Sequence, residues 1–306
     1  MTEYAIITTD TPKHGGMGDV IVECFREGSN LGYFKALKAR GDRTRLILTS
    51  HRPYMDDLFT GNPYIDTMDR NVGDSGQWLS DQERATLTWE RPEFYLDDAE
   101  KAIIKSFPAD YIAVHPWSTQ PKKVVPLDLH GLIEPLCAKN RAVVLLGGTY
   151  RGSYYTQNTY QKDANIVEEF TGFEHPLFLN TVNKLSVRAQ ALLASHATKF
   201  IGAQSAYACA AEIYGVPSLI IGYGDAPLHD VAFAFRRGPV MHHPHPMMLR
   251  ARVPTGINEA INRFLNDTVM KPSTVWRPPQ PQPIQRPRTI GQYPQKYTQP
   301  PGGVKA

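Results

Sequence analysis

Residues 201–222, IGAQSAYACAAEIYGVPSLIIG, constrain the fold more than any other stretch of the chain. Lys199-Phe200-Ile201 is a short apolar strand that ends at Gly202. The small and polar residues Ala203, Gln204 and Ser205 lead into a helical run that continues to Tyr214, where Gly215 and Pro217 stop it. Ser218 to Ile221 is a second strand, ending at Gly222. Strand, turn, helix and strand in this order are the βαβ element of an open parallel sheet. The helix begins beyond the carboxyl end of a strand, the edge where such sheets bind ligands. The unpaired N–H groups of its first turn favour phosphate.

Other segments repeat the plan. Tyr4 to Thr9 reads as a strand, followed by a loop containing Gly15, Gly16 and Gly18, and then by a helix opening at Asp19. A further helix spans Ser29 to Arg40, and the next strands are Arg45 to Thr49 and Tyr64 to Met68, with a short helix from Tyr54 to Phe59 between them. Residues 70–95 show no clean period and read as helices and loops, with a helix from Leu96 to Ser106 after them. The second half has strands at Tyr111 to Val114, Ala142 to Leu146, Lys199 to Ile201 and Ser218 to Ile221. Its helices are expected at Leu127 to Lys139, Asp163 to Phe170, Leu185 to His196, Ser205 to Tyr214 and Asn258 to Asn266. Glycine-ended strands in two α/β halves imply two facing domains with a cleft between them: residues 1–108, then 109–267.

Residues 268–306 differ in kind. From Lys271 to Ala306 there are nine prolines, six basic residues and no acidic ones. Such a composition builds no core, so a flexible basic Pro/Gln-rich tail is expected. Without it the chain has 27 basic residues against 30 acidic, so the formal net charge of +3 belongs to the tail. The body therefore shows no excess of the kind nucleic-acid binding needs. The three cysteines, Cys24, Cys137 and Cys209, are far apart and fit free thiols in a reducing compartment. No signal-peptide pattern or membrane-length apolar run is present, so a cytoplasmic protein is expected, its tail able to meet anionic surfaces at the membrane periphery.

Five segments in order resemble glycosyltransferase family 9, the heptosyltransferases of lipopolysaccharide synthesis. They are Gly16-Met17-Gly18-Asp19-Val20, Asn62-Pro63-Tyr64-Ile65-Asp66, His115-Pro116 with Lys123-Val124-Val125-Pro126, Leu145 to Gly148, and Gly202 to Pro217. The last lies without a gap on the family pattern G-x-D-S-G-x-x-H-x-A-x-x-x-G-x-P. Three positions depart from it: Gln204 stands for the Asp, Ala206 for the Gly and Cys209 for the His. The tryptophan of the family's K-x-W-P is missing as well.

The resemblance implies two Rossmann-like domains in the GT-B arrangement and transfer of a sugar from a nucleotide-diphospho-sugar to a hydroxyl acceptor. The implied route is direct inverting displacement without a metal or other cofactor, the nucleotide sugar being a substrate. Asp19 matches the family base, and a carboxylate at the end of a glycine turn suits removal of the acceptor proton. It equally suits a helix cap, and the two readings stand side by side. Lys123 matches the lysine that meets donor phosphate, where a fixed cation offsets the charge of the leaving diphosphate. Its other reading is one of a solvated pair with Lys122.

Ser205, Ala206, Gln204, Gly148 and Asp225 are the remaining donor-side candidates, and Gly16 and Gly18 the acceptor-side candidates. Each has a plain alternative: a capping serine for Ser205, tight turns for Gly148 and Asp225. His242-His243-Pro244-His245 matches no standard zinc spacing, and no metal site is expected. Cys209, inside a small-residue helix, is expected to be inert. The implied acceptor is a surface glycan or lipopolysaccharide-like sugar. A non-catalytic nucleotide- or sugar-binding relative is the alternative that the changes at 204 and 209 favour. A Rossmann dehydrogenase is disfavoured because Gly15 to Gly18 lacks the G-x-G-x-x-G spacing.

Overall fold

Tyr111–His115 (β4) is buried at every position, and its side chains alternate between two separate cores. Tyr111 and Ala113 face one; Ile112 and Val114 face the other. A strand covered on both faces belongs to the interior of a parallel sheet, and its neighbours show the same alternation. Val144 and Leu146 lie with Tyr111, while Val143 and Leu145 lie with Ile112.

The computed structural model describes residues 3–7, 17–48, 53–69, 79–105, 107–117, 127–148, 170, 172–203, 205–222, 251–252 and 257–266. Met1–Ser273 forms one compact unit and Thr274–Ala306 another, and every described residue belongs to the first. The expected tail and the helix over 163–170, apart from Phe170, lie outside the described residues.

Two parallel sheets organise the first unit. The smaller joins Glu3–Ile7 (β1), Arg43–Ile47 (β2) and Thr67–Asp69 (β3) in the order β1-β2-β3. The larger joins β4 with Ala142–Leu145 (β5), Phe178–Asn180 (β6), Lys199–Gly202 (β7), Ser218–Gly222 (β8) and Ala251–Arg252 (β9). Its order is β6-β5-β4-β7-β8-β9. Counted from β4 this is 3-2-1-4-5-6, the doubly wound Rossmann order, with the switch point between β4 and β7. Among the described residues all pairings are parallel: Tyr111 lies beside Ala142 on one side of β4, and Ile112 beside Lys199 on the other.

The helices are Met17–Phe25 (α1), Phe34–Ala39 (α2), Asp81–Thr86 (α3), Asp98–Lys105 (α4), Leu129–Ala138 (α5), Val187–His196 (α6), Ala206–Ile213 (α7) and Ile257–Asn266 (α8). Short 3-10 helices cover Asn30–Tyr33 and Pro53–Phe59. Among the described residues serine side chains cap three α-helices: Ser80 in a capping box with Glu83, Ser186 on Ala189, and Ser205 on Ala208. Gly215, at φ +75°, ends α7 where the sequence requires a stop.

One core runs through both sheets. Val20, Ile21 and Phe25 of α1 pack in the same cluster as Ala189 and Leu193 of α6 and Ala210 and Ala211 of α7. Extended residues 88–95 stitch the halves together. Trp89 Nε1–H donates to the Ser29 carbonyl at 3.0 Å, Phe94 stacks on Phe25 at 4.2 Å, and Tyr214 donates its hydroxyl proton to the Pro92 carbonyl. Beside them Arg188 is buried against Asp57, Asp97 and Glu100, and also donates to the Tyr95 carbonyl. Asp57 further accepts the Val187 N–H at 2.8 Å, capping α6 from the other half of the chain. The boundary expected at 108/109 falls between α4 and β4.

Several expectations shift. The third strand starts at Thr67 rather than Tyr64. Asp66 there accepts from the Thr44 N–H at 2.8 Å and from Lys38, and this side-chain pairing occupies the chain before the ladder begins. The stretch Ser29 to Arg40 divides into a 3-10 turn and α2, with Gly32 pressed against Trp89. The edge strands β6 and β9, which the sequence reading did not include, have three and two residues, too few for a period to show. Helix α1 begins at Met17, so Asp19 is inside its first turn rather than at its opening.

Candidate ligand site at the sheet switch point

At the carboxyl ends of β4 and β7 the two backbones come very close. A Cβ on Gly202 would stand 2.2 Å from the His115 carbonyl oxygen, so the position has no room for a side chain. The approach is held by the Ala203 N–H, which donates to the same oxygen at 2.8 Å. Next in the chain, Ser205 leaves the strand in an extended conformation and caps α7, its Oγ accepting the Ala208 N–H at 3.3 Å.

His115 closes the arrangement. Its Nδ1 lies 2.9 Å from Ser205 Oγ, a contact across the switch point between residues 90 positions apart. The ring stands edge-on to Tyr207 at 4.7 Å and to Trp117 at 6.1 Å. It is only 6% exposed, and burial pushes its pKa down to about 3, so the imidazole is neutral at physiological pH. The switch point thus offers the Ser205 hydroxyl beside a neutral, aromatic-packed imidazole and a helix amino end.

Trp117 also covers the end of β5. A Cβ on Gly147 would meet its ring at 2.6 Å, so the glycine is required by the indole above it. The Gly147 N–H donates to Gln190 Oε1 at 2.6 Å, and the Gln190 amide donates to the Leu185 carbonyl at 3.0 Å. Thr181 bonds the Leu145 carbonyl at 2.8 Å. Together these pin the strand end that carries Gly148, a half-buried residue on the same edge.

Helix α1 reaches the site from the other half of the chain. A Cβ on Gly18 would lie 3.1 Å from Cys209 Sγ and 3.6 Å from Ala206 Cα. The first turn of α1, which includes Asp19, is therefore stacked on the first turn of α7. Of the candidates from the sequence, Gly18, Ser205 and Ala206 are brought together, with the backbone of Asp19 adjacent. Gly16, Lys123, Gln204, Asp225 and the side chain of Asp19 lie outside the described residues, as does His242 to His245. Among the described residues no group of three or more His, Cys, Asp or Glu is placed to hold a metal ion. None of the described helices is long and apolar enough to cross a membrane.

Sequence reasoning used His115 only as part of a motif and passed over Trp117 and Tyr207. The available signal was a histidine ending a strand beside a proline, and nothing local connects it to Ser205. A concavity of about 560 Å³ is lined by Ile103, Phe173, His175, Phe178 and Lys184 among others, and none of the predicted site residues lines it.

No family model matches the chain, and no curated protein matches it. Among solved structures it is similar to the Escherichia coli heptosyltransferase WaaC with ADP: 10% identity over 90% of this chain and 100% of that one, TM-score 0.47. It is likewise similar to E. coli ADP-heptose lipopolysaccharide heptosyltransferase II, with 11% identity, 87% and 98% coverage and a TM-score of 0.44. A family 9 glycosyl transferase from Veillonella parvula gives 11% identity, 86% and 89% coverage and a TM-score of 0.44. These proteins are of the kind the sequence motifs resemble.

Proposed function

We propose that the chain transfers a sugar from a nucleotide-diphospho-sugar to a hydroxyl acceptor. The observation that carries this reading is the meeting of the α1 and α7 first turns at the switch point, where Gly18 touches Ala206 and Cys209. A doubly wound sheet receives nucleotides in the crevice outside its strand ends at that point. The amino end of α7 suits the diphosphate. Asp19 belongs to the first turn of α1, and in this reading its carboxylate serves the acceptor.

In this mechanism the Asp19 carboxylate takes the acceptor proton as the acceptor oxygen attacks the anomeric carbon. The bond from that carbon to the diphosphate oxygen breaks, and the nucleoside diphosphate leaves with the electron pair. Attack opposite the leaving group inverts the anomeric centre. Lys123, Ser205 and the α7 amides hold the negative charge that develops on the leaving group, so the step proceeds without a metal. Gly148, Gln204 and Asp225 complete the donor side, and Gly16 and Gly18 the acceptor side. The acceptor is a surface glycan or a related sugar, met by a cytoplasmic protein whose basic tail can rest on an anionic membrane.

Calorimetric titration with ADP, UDP, GDP and their sugars, followed by a donor-hydrolysis and transfer assay, tests the reading. Binding of one nucleoside diphosphate with turnover of a matching sugar supports it. Binding without turnover against any acceptor would favour a non-catalytic relative. Absence of all nucleotide binding by the folded chain would overturn it.

A further inference from the structure

Among the described residues the hydrogen bonds of Ser205 can be counted, and the count leaves one choice open. A serine hydroxyl has one proton and two lone pairs. One lone pair accepts the Ala208 N–H. A lone pair and the proton remain, to be divided between His115 Nδ1 at 2.9 Å and whatever enters the crevice. A neutral imidazole has its proton on one nitrogen only. If Nδ1 is bare, it takes the serine proton, and Ser205 turns a lone pair outward. If Nδ1 bears the proton, it donates to Oγ, and the serine O–H is released to point outward.

The surroundings remove the other options. In the ligand-free chain burial keeps the ring neutral, so there it donates from one nitrogen only. Tyr207 and Trp117 pack the ring edge-on, and the Ala203 bond to the His115 carbonyl fixes the backbone that carries it. An outward lone pair repels a phosphate oxygen, whereas an outward O–H forms a charge-assisted bond with it. The position of one proton therefore decides whether the crevice wall attracts or repels an anion.

We propose that His115 is a positioning residue whose Nδ1–H tautomer turns the Ser205 hydroxyl onto a bound diphosphate, an inference that rests on the nucleotide-sugar reading of this site. The change removes a proton from Nε2 and places one on Nδ1 through exchange with solvent. The ring stays neutral, and no covalent bond is made or broken with the ligand. A neutral ligand that offers its own hydroxyl proton selects the opposite tautomer, so the pair favours diphosphate over an uncharged sugar at this position.

The test uses the full chain with pyrophosphate and ADP as probes. In the ¹⁵N-histidine-labelled protein, long-range ¹H–¹⁵N spectra report which ring nitrogen is protonated, and His115→Phe assigns the signal. Saturation with either probe should give a protonated-type Nδ1. Binding is then measured in a cycle of His115→Phe, Ser205→Ala and the double variant, each first shown by its melting transition to be folded. His115→Phe should weaken ADP about tenfold when Ser205 is present and change it little when Ser205 is Ala. His115→Asn places an amide N–H near the Nδ1 position and should recover most of the loss.

An Nδ1 that stays unprotonated in the saturated complex overturns the proposal. So does an equal His115→Phe loss in both backgrounds, which marks a purely structural contact. In either case the nucleotide reading survives, because the wild-type chain still binds. If the wild-type chain binds neither probe, both the reading and this inference fall.

Discussion

Gly18 of α1 lies against Cys209 of α7 so closely that an added Cβ would sit 3.1 Å from the sulfur. Cys209 occupies the histidine position of the family pattern, and its sulfur is already in tight contact range of the Gly18 position. Cys209→His, although it restores the pattern, should drive the two first turns apart and destabilise the fold by about 1–3 kcal/mol, the usual cost of overpacking. Urea denaturation of the variant measures this; stability equal to the wild type would show that α1 can shift without cost.

Asp19 sits in the first turn of α1, next to that contact. Asp19→Asn should lower transfer by about 10² to 10⁴-fold, the range for loss of a general base, while donor affinity changes little. A negative side chain in a first helical turn is worth only about 0.3–1 kcal/mol of helix stability, so the fold should persist. Near-normal turnover by the Asn variant would reduce Asp19 to a helix-stabilising charge.

Arg188 is buried among Asp57, Asp97 and Glu100, and those partners come from the 3-10 helix Pro53–Phe59 and from the start of α4. Arg188→Ala strands Glu100, itself only 6% exposed, without its cation. Breaking one side of a buried pair typically costs about 3–5 kcal/mol. The expected result is a matching drop in unfolding free energy, and a loss under 1 kcal/mol would show that water reaches the carboxylates and replaces the guanidinium.

Acid should weaken the fold through His115. Its pKa falls from 6.5 to about 3 on burial, so the unfolded chain binds a proton that the folded chain refuses over that interval. The contribution is complete above the unfolded value and is lost progressively as pH falls toward the folded one. The slope is at most about 1.4 kcal/mol per pH unit for one group. Asp66, held low chiefly by its hydrogen bond from Lys38, adds its own loss only below its ordinary value of 3.8. Between pH 6 and 4.5 the pH dependence should therefore be visibly shallower in His115→Phe than in the wild type; identical slopes would show that the imidazole is solvated.

What was legible in the sequence is what local interactions control. Lys199 to Gly222 reads as strand, turn, helix and strand because its apolar run, its capping Ser205 and its terminating Gly215 each act over a few residues. Phe178–Asn180 does not read as a strand because, among the described residues, its pairing comes from β5, which lies more than thirty positions earlier. Asp66 reads as the middle of a strand and instead serves Thr44 and Lys38, partners that the chain folds back to reach.

The sequence by itself therefore determined two α/β halves, their glycine-ended strands and the helix that opens at Ser205. Only the tertiary structure decided that β4 and β7 are neighbours, because the order of strands is set by how helices cover both faces of the sheet. That order brings His115 to Ser205 across 90 positions and lays Gly18 on Cys209. Contacts of this kind depend on packing between elements, and no window of sequence contains both partners.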